Sequence, residues 1–147
     1  MTGGVLRGLT VGIIVFAVSI FFTHPQIHHL AIIAIFIVLT AIVFSLAGFL
    51  NALFAKNFDD ISIFPTFVLT PLTYLGGVFY SIKSLPLFWQ TVSQFNPILY
   101  MVNGFRYGFY GFTDVHLGMS IVILIFFAVI LTYINLYLLR KGTGFKN

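Results

Sequence analysis

The chain has 147 residues, of which 60% are hydrophobic and only 7% are charged. Soluble domains carry about 25% charged residues, so this composition excludes an ordinary soluble protein and indicates an integral membrane protein. The net charge of +4 comes from scattered basic residues, which suit membrane topology signals better than a nucleic-acid-binding patch. The absence of cysteine excludes disulfides and thiolate metal sites.

The first apolar segment covers residues 5–22 and carries glycines at four-residue intervals. Gly4, Gly8 and Gly12 therefore share one face of a helix. Small residues at this spacing allow a second helix to approach closely. We expect Gly8 and Gly12 to pack against a helix, and Ile14 to face lipid.

A histidine-rich stretch, HPQIHH at residues 24–29, follows the first segment. His24 and His28 have helical spacing, and a metal site needs several ligands held on one rigid face. Pro25 interrupts the stretch, however, and no acid or cysteine lies near it. We interpret the stretch as a polar loop cap, with metal binding as the alternative, and expect no cofactor.

The second apolar segment, residues 30–53, contains a continuous stripe of small residues, formed by Ala41, Ser45, Gly48 and Ala52. We expect the face with Ser45 and Gly48 to pack against another helix and Phe36 to face lipid. Asn51 lies near the end of the segment, where headgroups or a buried partner can satisfy its amide.

The third segment, residues 61–80, is preceded by Asp59 and Asp60. Acids stabilise helix N-termini through capping and the helix dipole. The alternative is that they contact a partner at the cytoplasmic face. Pro65 and Pro71 remove helix hydrogen bonds, so we expect them to kink this segment.

The next segment, residues 84–111, is interrupted by Asn96 and Pro97. Each side of the interruption offers only about 18 Å of helix, whereas the hydrocarbon core is roughly 30 Å thick. Neither arm can span a bilayer alone. The sequence therefore predicts a re-entrant helical hairpin, with Asn96 as N-cap and Pro97 as first residue of the second arm.

The second arm carries a polar-tipped aromatic stripe, formed by Tyr100, Asn103, Tyr107 and Tyr110. We interpret it as an interface belt, with a binding surface as the alternative. Gly104 and Gly108 lie on a neighbouring face and permit tight packing. Arg106 is the single charge in this arm, and a charge near membrane depth needs a partner or water. Snorkelling to the interface and a role in a pathway or gate both remain open.

The fourth apolar segment covers residues 117–139. The predicted fold class is thus an all-α polytopic membrane protein, with four transmembrane helices and the hairpin before the last, in a single transmembrane domain over residues 1–147. Cytoplasmic termini agree with the positive-inside rule. They place five basic residues inside, Arg7, Lys56, Arg140, Lys141 and Lys146, and two outside, Lys83 and Arg106.

Catalytic motifs are missing from the sequence. It has no G-x-x-x-x-G-K-[ST] phosphate loop, no G-x-S-x-G nucleophile elbow and no H-E-x-x-H zinc motif. We therefore expect no enzymatic activity, including ATP hydrolysis, from this polypeptide.

Four stretches resemble the C-terminal part of ABC-2-type transporter permeases: FDDIS at 58–62, PTFVLTPLTYLGGVFYS at 65–81, FWQ at 88–90 and NPILYMVNGFRYGF at 96–109. The resemblance implies a permease subunit of an exporter in the bacterial cytoplasmic (inner) membrane. Such a subunit forms the translocation pathway with a second permease copy and is driven by separate ATPase subunits. The cargo is not indicated.

The resemblance also implies roles for particular residues. Candidates for gating or lining the pathway are Asn96, Pro97, Tyr100, Asn103, Arg106 and Tyr107. Candidates for an ATPase-facing loop are Lys56, Asp59 and Asp60. The chain begins where the family's third span would begin, so the N-terminal half is a further expected partner. The alternative function is a truncated or split permease that acts only as an assembly subunit.

Overall fold

The computed structural model describes residues 2–22 and 27–142, which form helices and connecting turns without a β-strand. We number the helices α1 (Thr2–Phe22), α2 (Leu30–Phe54), α3 (residues 58–75), α4 (Leu87–Gln94), α5 (Pro97–Tyr110) and α6 (Leu117–Arg140). A short 3-10 turn, Ile82–Ser84, precedes α4. The all-helical class expected from the composition is confirmed for these residues.

Three of the described helices are long and apolar enough to cross a membrane. They are Gly3–Phe22, Leu30–Phe54 and Leu117–Arg140. These helices coincide with the first, second and fourth apolar segments of the sequence. A helix satisfies its own backbone hydrogen bonds, and the hydrocarbon core of a membrane offers no water to replace them. The long apolar runs are helical for this reason.

The third segment forms a less regular helix. In α3, α-helical residues Phe58–Phe64 are followed by a π-helical turn, Pro65–Leu69, and by a second α-helical part, Thr70–Leu75. The π-helical turn begins at Pro65, one of the two positions at which a kink was expected, whereas Pro71 lies in the second α-helical part. The helix ends at Leu75 rather than near residue 80, because Gly76 and Gly77 form a turn in which Gly77 adopts φ +74°.

Helix α2 is the centre of the fold and packs against α1, α5 and α6. The buried core cluster consists of Phe36, Val43, Ile82, Leu99, Tyr100, Met101 and Leu124. Phe36 is 0% exposed, so the expectation that it faces lipid is wrong. The physical reason lies on α5, where Gly104 and Gly108 have no side chains and leave room for Phe36 and Ile33 of α2.

Helix α1 covers one side of α2 and is the least buried of the long helices. A Cβ placed on Gly8 would lie 3.6 Å from the Ala41 Cβ, and one on Gly4 would lie 2.5 Å from the Ser45 hydroxyl. The two helices therefore approach closely at this end of α1. Ile14, expected to face lipid, is exposed.

Candidate functional site

The interruption between α4 and α5 is organised by Asn96, which is only 2% exposed. Its Oδ1 accepts a hydrogen bond from the Ile98 backbone N–H at 3.0 Å, and Pro97 occupies the first turn of α5. The N-cap role expected from the sequence is confirmed. The Asn96 Nδ2 also donates to the Leu72 carbonyl of α3 at 2.5 Å. One side chain thus starts α5 and ties it to α3.

The next polar residues of α5 point into the protein. Tyr100 and Asn103 are 3% and 1% exposed, so the interpretation of these two positions as an interface belt is wrong. The Tyr100 hydroxyl donates to the Gln94 carbonyl at 2.7 Å. This bond links the start of α5 to the end of α4.

Asn103 uses both ends of its amide to fix the loop that connects α5 to α6. Its Nδ2 donates to the Val115 carbonyl at 2.8 Å and to the Ser120 hydroxyl at 3.1 Å. Its Oδ1 accepts from the backbone N–H groups of Asp114 and Val115 at 2.9 and 3.2 Å. A buried amide with this many partners is fully satisfied and holds the loop in one conformation.

Arg106 forms an ion pair with Asp114, with 2.5 Å between Nη1 and Oδ2. The same carboxylate oxygen accepts from the Ser81 hydroxyl at 3.0 Å, and Arg106 Nη2 donates to the Gly77 carbonyl at 2.8 Å. Arg106 and Asp114 thus join the end of α3, the segment before α4, and the loop after α5. The side chains of the pair are 17% and 11% exposed, so the guanidinium is paired and largely buried.

The far end of α5 is capped by the residues that precede α2. The backbone N–H groups of His28 and His29 both donate to the Gly108 carbonyl, at 3.1 and 3.0 Å. The His28 Nδ1 lies 3.0 Å from the Phe109 carbonyl, and the His29 ring stacks on Tyr107 at 5.1 Å between centroids. His28 and His29 therefore form a polar cap. His24 lies outside the described residues.

The candidate ATPase-facing residues lie at the start of α3, with Lys56 in the loop before the helix and with Asp59 and Asp60 in its first turn. Asp60 accepts from the backbone N–H groups of Lys56 and Asn57 at 2.9 and 3.2 Å, which confirms its capping role. Lys56 and Asp59 are exposed. In the described part of the chain, no hydrogen bond joins this loop to the polar residues of α5.

Of the four residues expected to pack between helices, only two lie at a close contact within this chain. Gly8 and Ser45 lie at the contact between α1 and α2. In contrast, a Cβ on Gly12 or Gly48 would meet nothing within 4 Å. Both glycines line a groove of about 640 Å³ between these helices. The stripe of small residues is therefore only partly covered by this chain.

Sequence reasoning missed Asp114, Ser81 and Asn135. Asp114 could have been found, because it is the only acid after Asp60 and Arg106 needs a counter-charge. Asn135 is 0% exposed, and its Nδ2 donates to the Leu46 carbonyl at 3.0 Å. Its signal was an amide within an otherwise apolar segment, which usually marks a contact between helices.

Three helices long and apolar enough to cross a membrane, together with two short helices that polar contacts tie to the rest of the fold, indicate a helical membrane protein. The family model described as "ABC-2 type transporter" matches residues 1–110. The chain belongs to this family, as its resemblance indicated.

Curated relatives agree with this assignment. The chain is similar to the inner membrane transport permease YadH of Escherichia coli K12, with 56% identity over 145 residues, which cover 99% of this chain and 57% of the relative. It is also similar to nodulation protein J of Rhizobium leguminosarum bv. trifolii, with 25% identity over 95% of this chain and 52% of that protein. The chain thus spans little more than half the length of these relatives. No solved structure matches it significantly.

Proposed function

We propose that the chain is a membrane-spanning permease subunit of an ATP-driven exporter, in which it forms part of the translocation pathway while a separate ATPase hydrolyses ATP. The structural observation behind the proposed pathway is the hydrogen bond from the Ser81 hydroxyl to the Asp114 carboxylate, at 3.0 Å, because these two residues flank the interrupted segment. Because its flanks touch, the segment with the two short helices begins and ends at the same place, which supports a hairpin that enters and leaves on one side. The family and the inner-membrane permease among its relatives support a bacterial inner-membrane transport protein.

The proposed topology has four crossings, α1, α2, α3 and α6, and cytoplasmic termini. Helix α3 supplies about 27 Å at about 1.5 Å per residue, slightly less than the roughly 30 Å of a hydrocarbon core. Helices α4 and α5 supply about 12 and about 21 Å, so each is too short to cross alone. The hairpin of residues 84–111 therefore enters and leaves on the outer side, which is the side of Lys83.

The second arm of the hairpin is the proposed gate. Asn96 and Pro97 form its deep end, and Asn103 and Arg106 attach its outer half to the loop before α6. Tyr100 fixes the gate to the first arm, and Tyr107 fixes it to the loop before α2. The gate is thus held by polar contacts that can be exchanged for other polar contacts or for water during transport.

Coupling to the ATPase is assigned to the loop before α3 and to the first turn of that helix. Lys56 and Asp59 are exposed and available to a partner, whereas the Asp60 carboxylate is occupied by the helix cap. Assembly is assigned to the open part of the small-residue stripe. Gly12 and Gly48 pack against a helix of a second permease copy or of the N-terminal half. The site does not specify the cargo.

A cysteine at position 83 tests the proposed function without knowledge of the cargo. Right-side-out vesicles, prepared with or without ATP inside, would carry Lys83→Cys together with the ATPase that co-purifies with the chain. We expect ATP to change the rate at which an impermeant thiol reagent labels position 83, and a vesicle sample without the ATPase to show no change. Equal labelling rates with and without ATP would contradict an ATP-driven gate.

A further inference from the structure

The carbonyl of Ile61 in α3 loses its helical partner because of a proline. In an α-helix this carbonyl accepts from the N–H four residues later, and that residue is Pro65, which has no N–H. The structure places Asn51 of α2 against it, with 3.0 Å between Nδ2 and the Ile61 carbonyl oxygen. Asn51 thus supplies the donor that Pro65 lacks, and its bond ties this end of α3 to α2.

The other end of α3 is held in the same way. The Leu72 carbonyl accepts from Asn96 at 2.5 Å, and the Gly77 carbonyl accepts from Arg106 at 2.8 Å. Both donors belong to α5, the second arm of the hairpin. Side chains of α2 and α5 therefore fix α3 near its two ends, and each bond ends on a backbone carbonyl of α3 or the turn after it.

The middle of α3 is much freer. The π-helical turn Pro65–Leu69 has no buried residue, and the Thr70 N–H bonds to the Pro65 carbonyl five positions earlier. Widened turns of this kind are points where a helix bends, and they are frequent at functional sites. Helix α3 is thus held at both ends, and little side-chain packing opposes a tilt of the helix between these attachments.

We infer that Asn51 is a positioning residue that provides the pivot of α3. The pivot lies between the rest of α3 and the segment that precedes it, which is the loop with Lys56 and the first helical turn with Asp59. A displacement of that loop rotates α3 about the Asn51 contact, and the far end transmits the rotation to the hairpin through Asn96 and Arg106. This inference rests on the proposed function, in which the loop receives the motion of the ATPase.

The contact itself is tested by a double-mutant cycle with Asn51→Leu and Pro65→Ala. Asn51→Leu leaves the Ile61 carbonyl unpaired, and we expect it to lower the folding equilibrium constant in detergent by about threefold to twentyfold. Pro65→Ala restores an N–H for this carbonyl, so Asn51→Leu should cost much less in that background. Thr66→Val, which removes a hydroxyl that bonds only within α3, is the matched control. Equal costs of Asn51→Leu in both backgrounds would overturn the contact.

The role as a pivot is tested by ATP-dependent labelling of Lys83→Cys. We expect Asn51→Leu to abolish the response to ATP, and the variant that combines Asn51→Leu with Pro65→Ala to regain stability while remaining unresponsive. Recovery of the response in that combined variant would show that Asn51 is only structural and would overturn the inference. Absence of a response in the otherwise unchanged chain would instead overturn the proposed function, and the pivot with it. The stability cycle separates these results because it needs no ATPase.

Discussion

Replacing Asp114 with alanine removes the acceptor that joins three parts of the candidate site. Its Oδ2 accepts from Arg106 at 2.5 Å and from Ser81 at 3.0 Å, and the side chains of the ion pair are 17% and 11% exposed. Removal of one partner from a fully buried pair costs about 3–5 kcal/mol, because the other charge stays unpaired. The Gly77 carbonyl still accepts from Arg106, and some exposure remains. We therefore expect a loss of about 2–3 kcal/mol.

The loss would be measured as the free energy of unfolding of the purified chain in mixed detergent micelles. Asp59→Ala is the matched control, since Asp59 is exposed, and it should stay within about 0.5 kcal/mol of the parent chain. The variant that lacks both Arg106 and Asp114 should be more stable than the sum of the two single losses implies. A structural ion pair would be refuted if Asp114→Ala lost as little stability as the control, or if the loss in the double variant equalled the sum of the two single losses.

Two further predictions concern the glycines. Gly104→Ala should destabilise the chain by about 1–3 kcal/mol in the same unfolding assay, because the added methyl group overlaps the Phe36 ring. Gly118→Ala is the control, since its methyl group meets open space and should cost little, and equal losses would refute the assigned packing. Gly12→Leu and Gly48→Leu should leave the isolated chain folded but reduce its co-purification with a second permease copy or the N-terminal half. Ile14→Leu is the control, and an unchanged yield of the complex in the glycine variants would contradict the proposed assembly face.

Much of the fold could be predicted from composition and from local signals. Apolar runs of this length have few alternatives to a membrane helix, so α1, α2 and α6 follow directly from the sequence. The Asn96-Pro97 pair is a local start signal for a helix and needs no tertiary information. The close packing of Gly104 and Gly108 was likewise expected from their spacing, and the structure confirms it.

Inward and outward faces were harder to predict. Phe36 was assigned to lipid because a helix that is apolar all round has no polar face to mark the exterior. Its true position depends on glycines of α5 that lie almost 70 residues away along the chain. The third helix also ends earlier than predicted, because Gly76 and Gly77 form a turn. The apolar run continues past these glycines, so its length did not reveal where the helix ends.

The partners of the polar residues could not be predicted for the same reason. Arg106 bonds to Asp114 and Gly77, and Asn103 bonds to the loop before α6. Each contact forms only after α3, α5 and α6 have come together. The sequence indicated that these side chains need partners in a membrane, whereas the identity of each partner is a property of the tertiary fold.

Two single cysteines test most directly whether residues 84–111 form a re-entrant hairpin. The chain has no cysteine of its own, so Lys83→Cys and Thr113→Cys provide unique labels on either side of the hairpin. Intact cells would be treated with an impermeant thiol reagent, with Lys56→Cys as the cytoplasmic control. We expect positions 83 and 113 both to label from outside and position 56 to label only after permeabilisation. Labelling of 83 and 113 from opposite sides would contradict a re-entrant hairpin.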